Sequence, residues 1–160
     1  MSIVRDKDYI WLLNTYGEFC DTIKGASMMP LLRQARDTVH VERVELAHTG
    51  KDAFAQAALA PFDVVLFRRP NGAYVLHRIV AQEGNRYLVW GDNCETVEVV
   101  DPSQIIGRMT EFWRGDRKRS ISCLRYRAYV SFCCRPWQAR MRFNRVVHRL
   151  HARLAATARR

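Results

Sequence analysis

The stretch from Val64 to Val80 admits few folds other than a β-hairpin. Val64-Val65-Leu66-Phe67 is β-branched and aromatic, a composition that fits a buried strand. Arg68-Arg69-Pro70-Asn71-Gly72 follows with strong turn chemistry, and Tyr74 to Val80 returns as the partner strand. Gly84-Asn85 repeats the turn signal, and Arg86 to Trp90 runs back again. Val97 to Val100 and Ile105-Ile106-Gly107-Arg108 supply the last strands of the series. Upstream, Thr38 to Leu46 alternates in the β manner but slips by one residue between Val41 and Val44, which predicts a strand with a bulge. Residues 6–20 predict a short amphipathic helix ended near Gly17, leading into a first strand around Asp21 to Gly25. Gly50 to Ala60 is alanine-rich and predicts a helix stopped by Pro61. Short strands separated by Gly and Asn turns give a mainly β (α+β) body, a coiled or sandwiched sheet.

The texture changes after Trp113. From Arg114 onward there are 14 Lys and Arg against one acid, Asp116, whereas residues 1–113 hold 12 Lys and Arg against 15 acids. The overall +10 therefore belongs to the tail and not to the β body. This divides the chain into a body, 1–113, and a basic extension, 114–160, with Gly115 to Ser120 as a polar linker. Phe143, Val147, Leu150 and Leu154 recur at helical spacing among arginines, and Pro136 separates two helices. Such a tail suits an anionic membrane surface or an acidic protein, and nucleic acid less well: no helix-turn-helix, phosphate loop or RNA-binding aromatic box accompanies it. The competing expectation is a solvated basic face over a stripe that packs on the body.

Five cysteines (Cys20, Cys94, Cys123, Cys133, Cys134) are odd in number and irregularly spaced, which argues for a reducing cytoplasm over a disulfide framework. Adjacent Cys133-Cys134 does not fit a zinc-ligand pair, and His40 and His48 have no cysteine or acid at ligand spacing. No apolar run approaches the roughly 18 to 20 residues that span a bilayer. Ala53 to Phe67 is the nearest, and Pro61 and Asp63 interrupt it.

Three short blocks carry the chemistry. Lys24-Gly25-Ala26-Ser27-Met28-Met29-Pro30 presents one hydroxyl between small residues and a proline exit. Leu76-His77-Arg78-Ile79 puts a histidine on the returning hairpin strand, and Gly91-Asp92-Asn93 follows. A serine hydroxyl is a weak nucleophile and needs a base. No lysine occurs between residues 52 and 117, and His77 is the one histidine in that window.

In this order the blocks resemble the signal peptidase and LexA-type repressor superfamily of serine proteases. The match is with the endoplasmic-reticulum and archaeal branch, where histidine replaces the lysine base. The resemblance covers roughly residues 15–110, with Phe62 standing where the strand before the base usually has glycine. It implies a Ser27 nucleophile, a His77 base and Asp92 as the orienting acid. Glu98 or Asp101 would fill a second acidic position, and Arg78 would pair with one of these acids or shield the strand. Gly25, Ala26 and Met28 would form the groove and a backbone oxyanion site, since Gly25 stands where signal peptidases commonly carry a hydroxyl. No metal or cofactor is called for. The activity implied is a serine endopeptidase cutting a signal, leader or precursor peptide held as an extended strand. The usual transmembrane anchor is not recognisable before Ser27, so a cytoplasmic or peripherally membrane-bound processor is expected. The alternative is a catalytically degenerate relative that binds a membrane, nucleic acid or protein through its tail.

Overall fold

The computed structural model describes residues 8–44 and 59–157. The helix expected over Gly50 to Ala60 lies, but for its last two residues, outside the described residues, as does His48. The chain begins with α1 (Tyr9–Tyr16), capped by the Asp8 carboxylate at its N-terminus and ended by Gly17 in the left-handed conformation. Eight strands follow: β1 (Glu18–Thr22), β2 (Asp37–Arg43), β3 (Val64–Arg68), β4 (Tyr74–Glu83), β5 (Arg86–Trp90), β6 (Val97–Val100), β7 (Ile105–Arg114) and β8 (Arg117–Ser120). All pair antiparallel in one sheet of order β1-β2-β7-β3-β4-β5-β6, with β8 also on β7. The fold is therefore α+β, dominated by an antiparallel sheet, as the turn signals predict.

The long strand β7 organises this sheet. One edge pairs with β2 from Arg43↔Gly107 to Asp37↔Arg114. The other edge takes β3 first, at Val65↔Arg108, and then β8, at Glu111↔Ser120. Gly107 permits the crossing, because a methyl there would stand 2.6 Å from Val41 Cγ1 and 2.9 Å from the Glu42 carbonyl. The sheet bends over two cores. Val64 and Leu66 join Leu13, Val41, Met109 and Phe112 on one side, and Val65 and Phe67 join Ile79, Val89 and Ile105 on the other. A strand buried on both faces needs an unbroken apolar run, which Val64 to Phe67 supplies.

Several expectations are corrected. The first strand runs over Glu18–Thr22 and not Asp21 to Gly25, since the left-handed turn at Gly17 starts pairing at once. The bulge lies between His40 and Val41, because the extra residue, Thr110, sits on the partner β7; β2 itself alternates regularly. The expected linker after Trp113 is instead a hairpin: Gly115, at φ 59°, turns β7 into β8. The sheet thus continues to Ser120. Beyond it lie α2 (Leu124–Tyr129), one π-helical turn over Val130–Cys134, and α3 (Trp137–Thr157), with Pro136 between helices as predicted. This segment packs on the body, with Tyr126 and Cys134 buried. Its stripe at Phe143, Leu150 and Leu154 does not pack; those side chains are exposed.

Candidate active site

Ser27 opens the turn that follows β1, and its neighbours are fixed from two directions. Met28 is buried in the core and anchors the turn from beneath. Gly25 adopts φ 80°, a conformation that suits glycine alone without strain. From the other side the Gly91-Asp92-Asn93 turn closes on the serine. The Asn93 N–H donates to the Ser27 carbonyl at 2.8 Å, and Asn93 Nδ2 donates to the Ala26 carbonyl at 3.3 Å. His77 comes from β4, opposite Val65 on β3, and is 4 % exposed. The three blocks predicted from sequence therefore meet in space.

Gly91 is where they meet most closely. A methyl on it would stand 2.6 Å from Cys94 Sγ, 2.8 Å from the Ser27 carbonyl and 2.9 Å from His77 Nε2. Both the serine turn and the imidazole thus rely on the missing side chain. Gly91→Ala is expected to wedge them apart and to destabilise the chain by about 1 to 3 kcal/mol, the scale of overpacking in a tight interior. A Gly91→Ala variant with an unchanged urea midpoint would contradict this packing.

The carboxylate against His77 is that of Glu98 on β6. Glu98 Oε1 lies 3.2 Å from His77 Nδ1, although the N–H is not aligned well enough to form a hydrogen bond, so the contact becomes an ion pair only when the ring is protonated. Glu98 is held in turn by Arg69 from the β3–β4 turn through two bonds of 2.7 Å. That pairing holds the Glu98 carboxyl below its ordinary pKa. Burial pushes His77 below its ordinary value; Glu98 pulls it up and Arg69 pushes it down, with the net shift downward. The imidazole is accordingly neutral near pH 7, the form that can accept a proton.

Asp92 faces elsewhere. Fully buried, it receives Arg78 Nε at 2.8 Å and Nη2 at 2.7 Å, and the Tyr129 hydroxyl at 2.9 Å. The rest of the Arg78 guanidinium donates to the Phe62 carbonyl and the Tyr126 hydroxyl, each at 2.9 Å. Burial works against the charge on Arg78, and the Asp92 carboxylate more than compensates, so the guanidinium stays well above its ordinary pKa. Asp92 as the residue that orients His77 is therefore corrected: its oxygens are committed to Arg78 and Tyr129, and Glu98 takes the place beside the ring. Arg78 pairs with Asp92 and with neither Glu98 nor Asp101. Asp101 caps a short turn instead, accepting from Ser103 N and Oγ.

A groove of about 280 Å³ runs past Ser27 and His77, lined also by Lys24, Met28, Leu76 and Cys94. A smaller apolar recess of about 110 Å³ continues it through Ile23 and Tyr74 toward Phe19, Val41 and Leu66. Among the described residues, Tyr74 to His77 of β4 pair with β3 on one edge only, because β5 begins its pairing at Arg78. Gly25 and Ala26, expected in the groove, lie at the turn before the serine and do not line it; Met28 does. Cys94 was not foreseen. Burial, then Glu98, push its thiol pKa up, which keeps it protonated and a poor nucleophile beside the serine. Among the described residues one group of ligand-type side chains converges, Glu18, His40 and Glu42, with ligand atoms within 4.8 Å of one another. The His40 ring nitrogens are already engaged by Glu18 and Thr110, and none of the three lines the groove.

The tail also reaches the site, which no motif announced. Asn144 Nδ2 of α3 donates to the Asp92 and Cys94 carbonyls at 3.2 and 3.3 Å, and Arg145 Nη2 to the Glu95 carbonyl at 3.0 Å. His148 Nδ1 lies 2.8 Å from Glu95 Oε1. A polar residue at 144 among apolar and basic ones was the available signal. No family model matches the chain. No curated protein matches it either.

Proposed function

We propose that the chain is a serine endopeptidase of the signal-peptidase/LexA-like type, using Ser27 as nucleophile and His77 as base. The observation that carries this reading is the convergence of Ser27, His77 and the Gly91 turn at one groove, with Ala26 and Asn93 bonded across 67 positions of sequence. In this mechanism the Ser27 hydroxyl attacks the scissile carbonyl as His77 Nε2 takes its proton, and the imidazolium then protonates the leaving amine. Glu98, braced by Arg69, stabilises the imidazolium. The Ser27 N–H donates to the developing oxyanion. The substrate is a signal, leader or precursor peptide in extended form. The edge of β4 at Tyr74 to His77, unpaired among the described residues, offers it main-chain partners, and the apolar recess takes one of its side chains. No helix among the described residues is long and apolar enough to cross a membrane, which favours a cytoplasmic or peripherally bound processor. The deciding experiment is labelling with a fluorophosphonate. The wild-type chain should label and Ser27→Ala should not; an unlabelled wild type would return the chain to the class of non-catalytic binding modules.

The pH dependence follows from the groups around His77. With its pKa depressed by burial, the ascending limb of kcat/KM should lie below the ordinary histidine value near 6.5. Glu98→Gln removes the larger of the two carboxylates that raise the imidazole pKa, Asp92 being the other, and leaves Arg69, which lowers it. The variant's limb should therefore move to lower pH while kcat falls. A limb still climbing above about pH 9 would instead assign the base to a lysine, for which Lys24 in the same groove is placed.

A further inference from the structure

The helix α3 has two unlike faces. Trp137, Arg140, Met141, Asn144 and His148 turn toward the body, and Asn144 is 7 % exposed. On the opposite side Phe143, Val146, Leu150 and Leu154 are 66, 54, 51 and 67 % exposed. Their spacing of three and four residues makes them one stripe. By the same arithmetic Arg142, Arg149 and Arg153, also exposed, form a row along its side. Leu124 and Phe132 add two more apolar side chains, each 81 % exposed. No Asp or Glu occurs from Arg117 to the end of the chain.

What covers this face must satisfy both stripes. A nucleic acid duplex would neutralise the arginines and leave Phe143 and Leu150 in water. A second copy would bury the apolar stripe and bring two acid-free arginine rows together. A bilayer carrying anionic lipid accepts both at once, the stripe among acyl chains and the guanidinium groups among phosphates. The helix is too polar to cross that bilayer.

We infer that the outer face of α3 is a docking surface for an anionic membrane, along which the helix lies in the interfacial plane. The inner face gives the docking a consequence. Through Asn144 and Arg145 the helix grips the Asp92–Glu95 turn, and that turn is bonded to Ser27. The groove is thereby held at fixed geometry to the lipid surface, so the peptides it meets are those tethered to or lying on that surface. The docking itself does not depend on catalysis at Ser27; only this choice of substrates rests on that reading.

The test is co-sedimentation of the full chain with phosphatidylcholine vesicles, with and without phosphatidylserine. Two surface variants accompany it, Phe143→Ser/Leu150→Ser and Arg142→Glu/Arg149→Glu/Arg153→Glu. The wild-type chain should bind the phosphatidylserine vesicles selectively and release with salt. The arginine variant should lose at least about a hundredfold in partitioning, since each basic residue near the surface is worth about fivefold and the introduced carboxylates are repelled besides. The apolar variant should lose at least about tenfold. Circular dichroism and fluorophosphonate labelling should be unchanged in both, which separates failure of docking from failure of the active site. Equal binding to neutral vesicles, binding indifferent to both variants, or tighter binding to duplex DNA than to vesicles would each overturn the inference. So would a stable wild-type dimer that Phe143→Ser/Leu150→Ser converts to monomer.

Discussion

Ser27→Ala and His77→Ala are each expected to reduce kcat by about 10⁴ to 10⁶, with the double variant no worse than either alone, because nucleophile and base act as one unit. Neither change should disturb the fold. Ser27 makes its bonds through its backbone, whose carbonyl accepts from Asn93. His77 lines the groove, and its Nδ1 contact with Glu98 is not a formed hydrogen bond. Burst and steady-state kinetics on a short soluble peptide, with urea denaturation run in parallel, measure both parts. A His77→Ala variant that keeps more than about a tenth of wild-type activity would remove histidine from the base position. A variant that unfolds would instead make His77 a packing residue. Glu98→Gln should lie between wild type and His77→Ala, since loss of an orienting carboxylate costs less than loss of the base.

Much of this arrangement is legible in residue patterns, and what is not has a physical cause. Turn chemistry at Asn71-Gly72 and Gly84-Asn85 reports local backbone preference, so the hairpins of β3, β4 and β5 could be read directly. Partner choice is not local. The bulge at Thr110 belongs to β7 although the sequence pattern suggests one in β2, because alternation in one strand does not say which partner carries the extra residue. The β8 hairpin was concealed by its composition. Arg117-Lys118-Arg119-Ser120 has no apolar alternation, and it pairs because β7 offers it an open edge beyond β3. In the site, the motifs bring Ser27 and His77 to one groove, whereas which carboxylate lies beside the ring is not legible in them. Asp92 and Glu98 both lie near His77, and only the competing claim of Arg78 decides between them. Arg78 is adjacent to His77 in sequence but points the other way, as successive residues of a strand must. Phe62 at φ 75° marks the position where the resemblance led to glycine; its carbonyl is the third anchor of that same guanidinium.

Asp92→Asn is the change expected to cost the most stability, on the order of 3 to 5 kcal/mol, because it strands a fully buried guanidinium without its counter-charge. The total stability of a domain this size is roughly 5 to 15 kcal/mol, so the loss should move the urea midpoint by a large fraction. Arg78→Met should cost a similar amount by leaving Asp92 as the unpaired charge. The two should not add. In Arg78→Met/Asp92→Asn no buried charge remains, the asparagine can still accept from the Tyr129 hydroxyl, and most of the loss should be recovered. The site ties the tail to the body, since Tyr126 and Tyr129 close over the pair from α2 and Asn144 holds the Asp92 carbonyl from α3. Truncation before α2 should therefore destabilise the body rather than release it intact, as both tyrosines and their share of the core would go. The variant also distinguishes the two carboxylates. A folded Asp92→Asn chain, stabilised by low temperature or osmolyte, should keep most of its kcat while Glu98→Gln loses it. If Asp92→Asn instead stays within about 1 kcal/mol of wild type, near the scale of an exposed substitution, and is catalytically dead, then Asp92 and not Glu98 serves the imidazole.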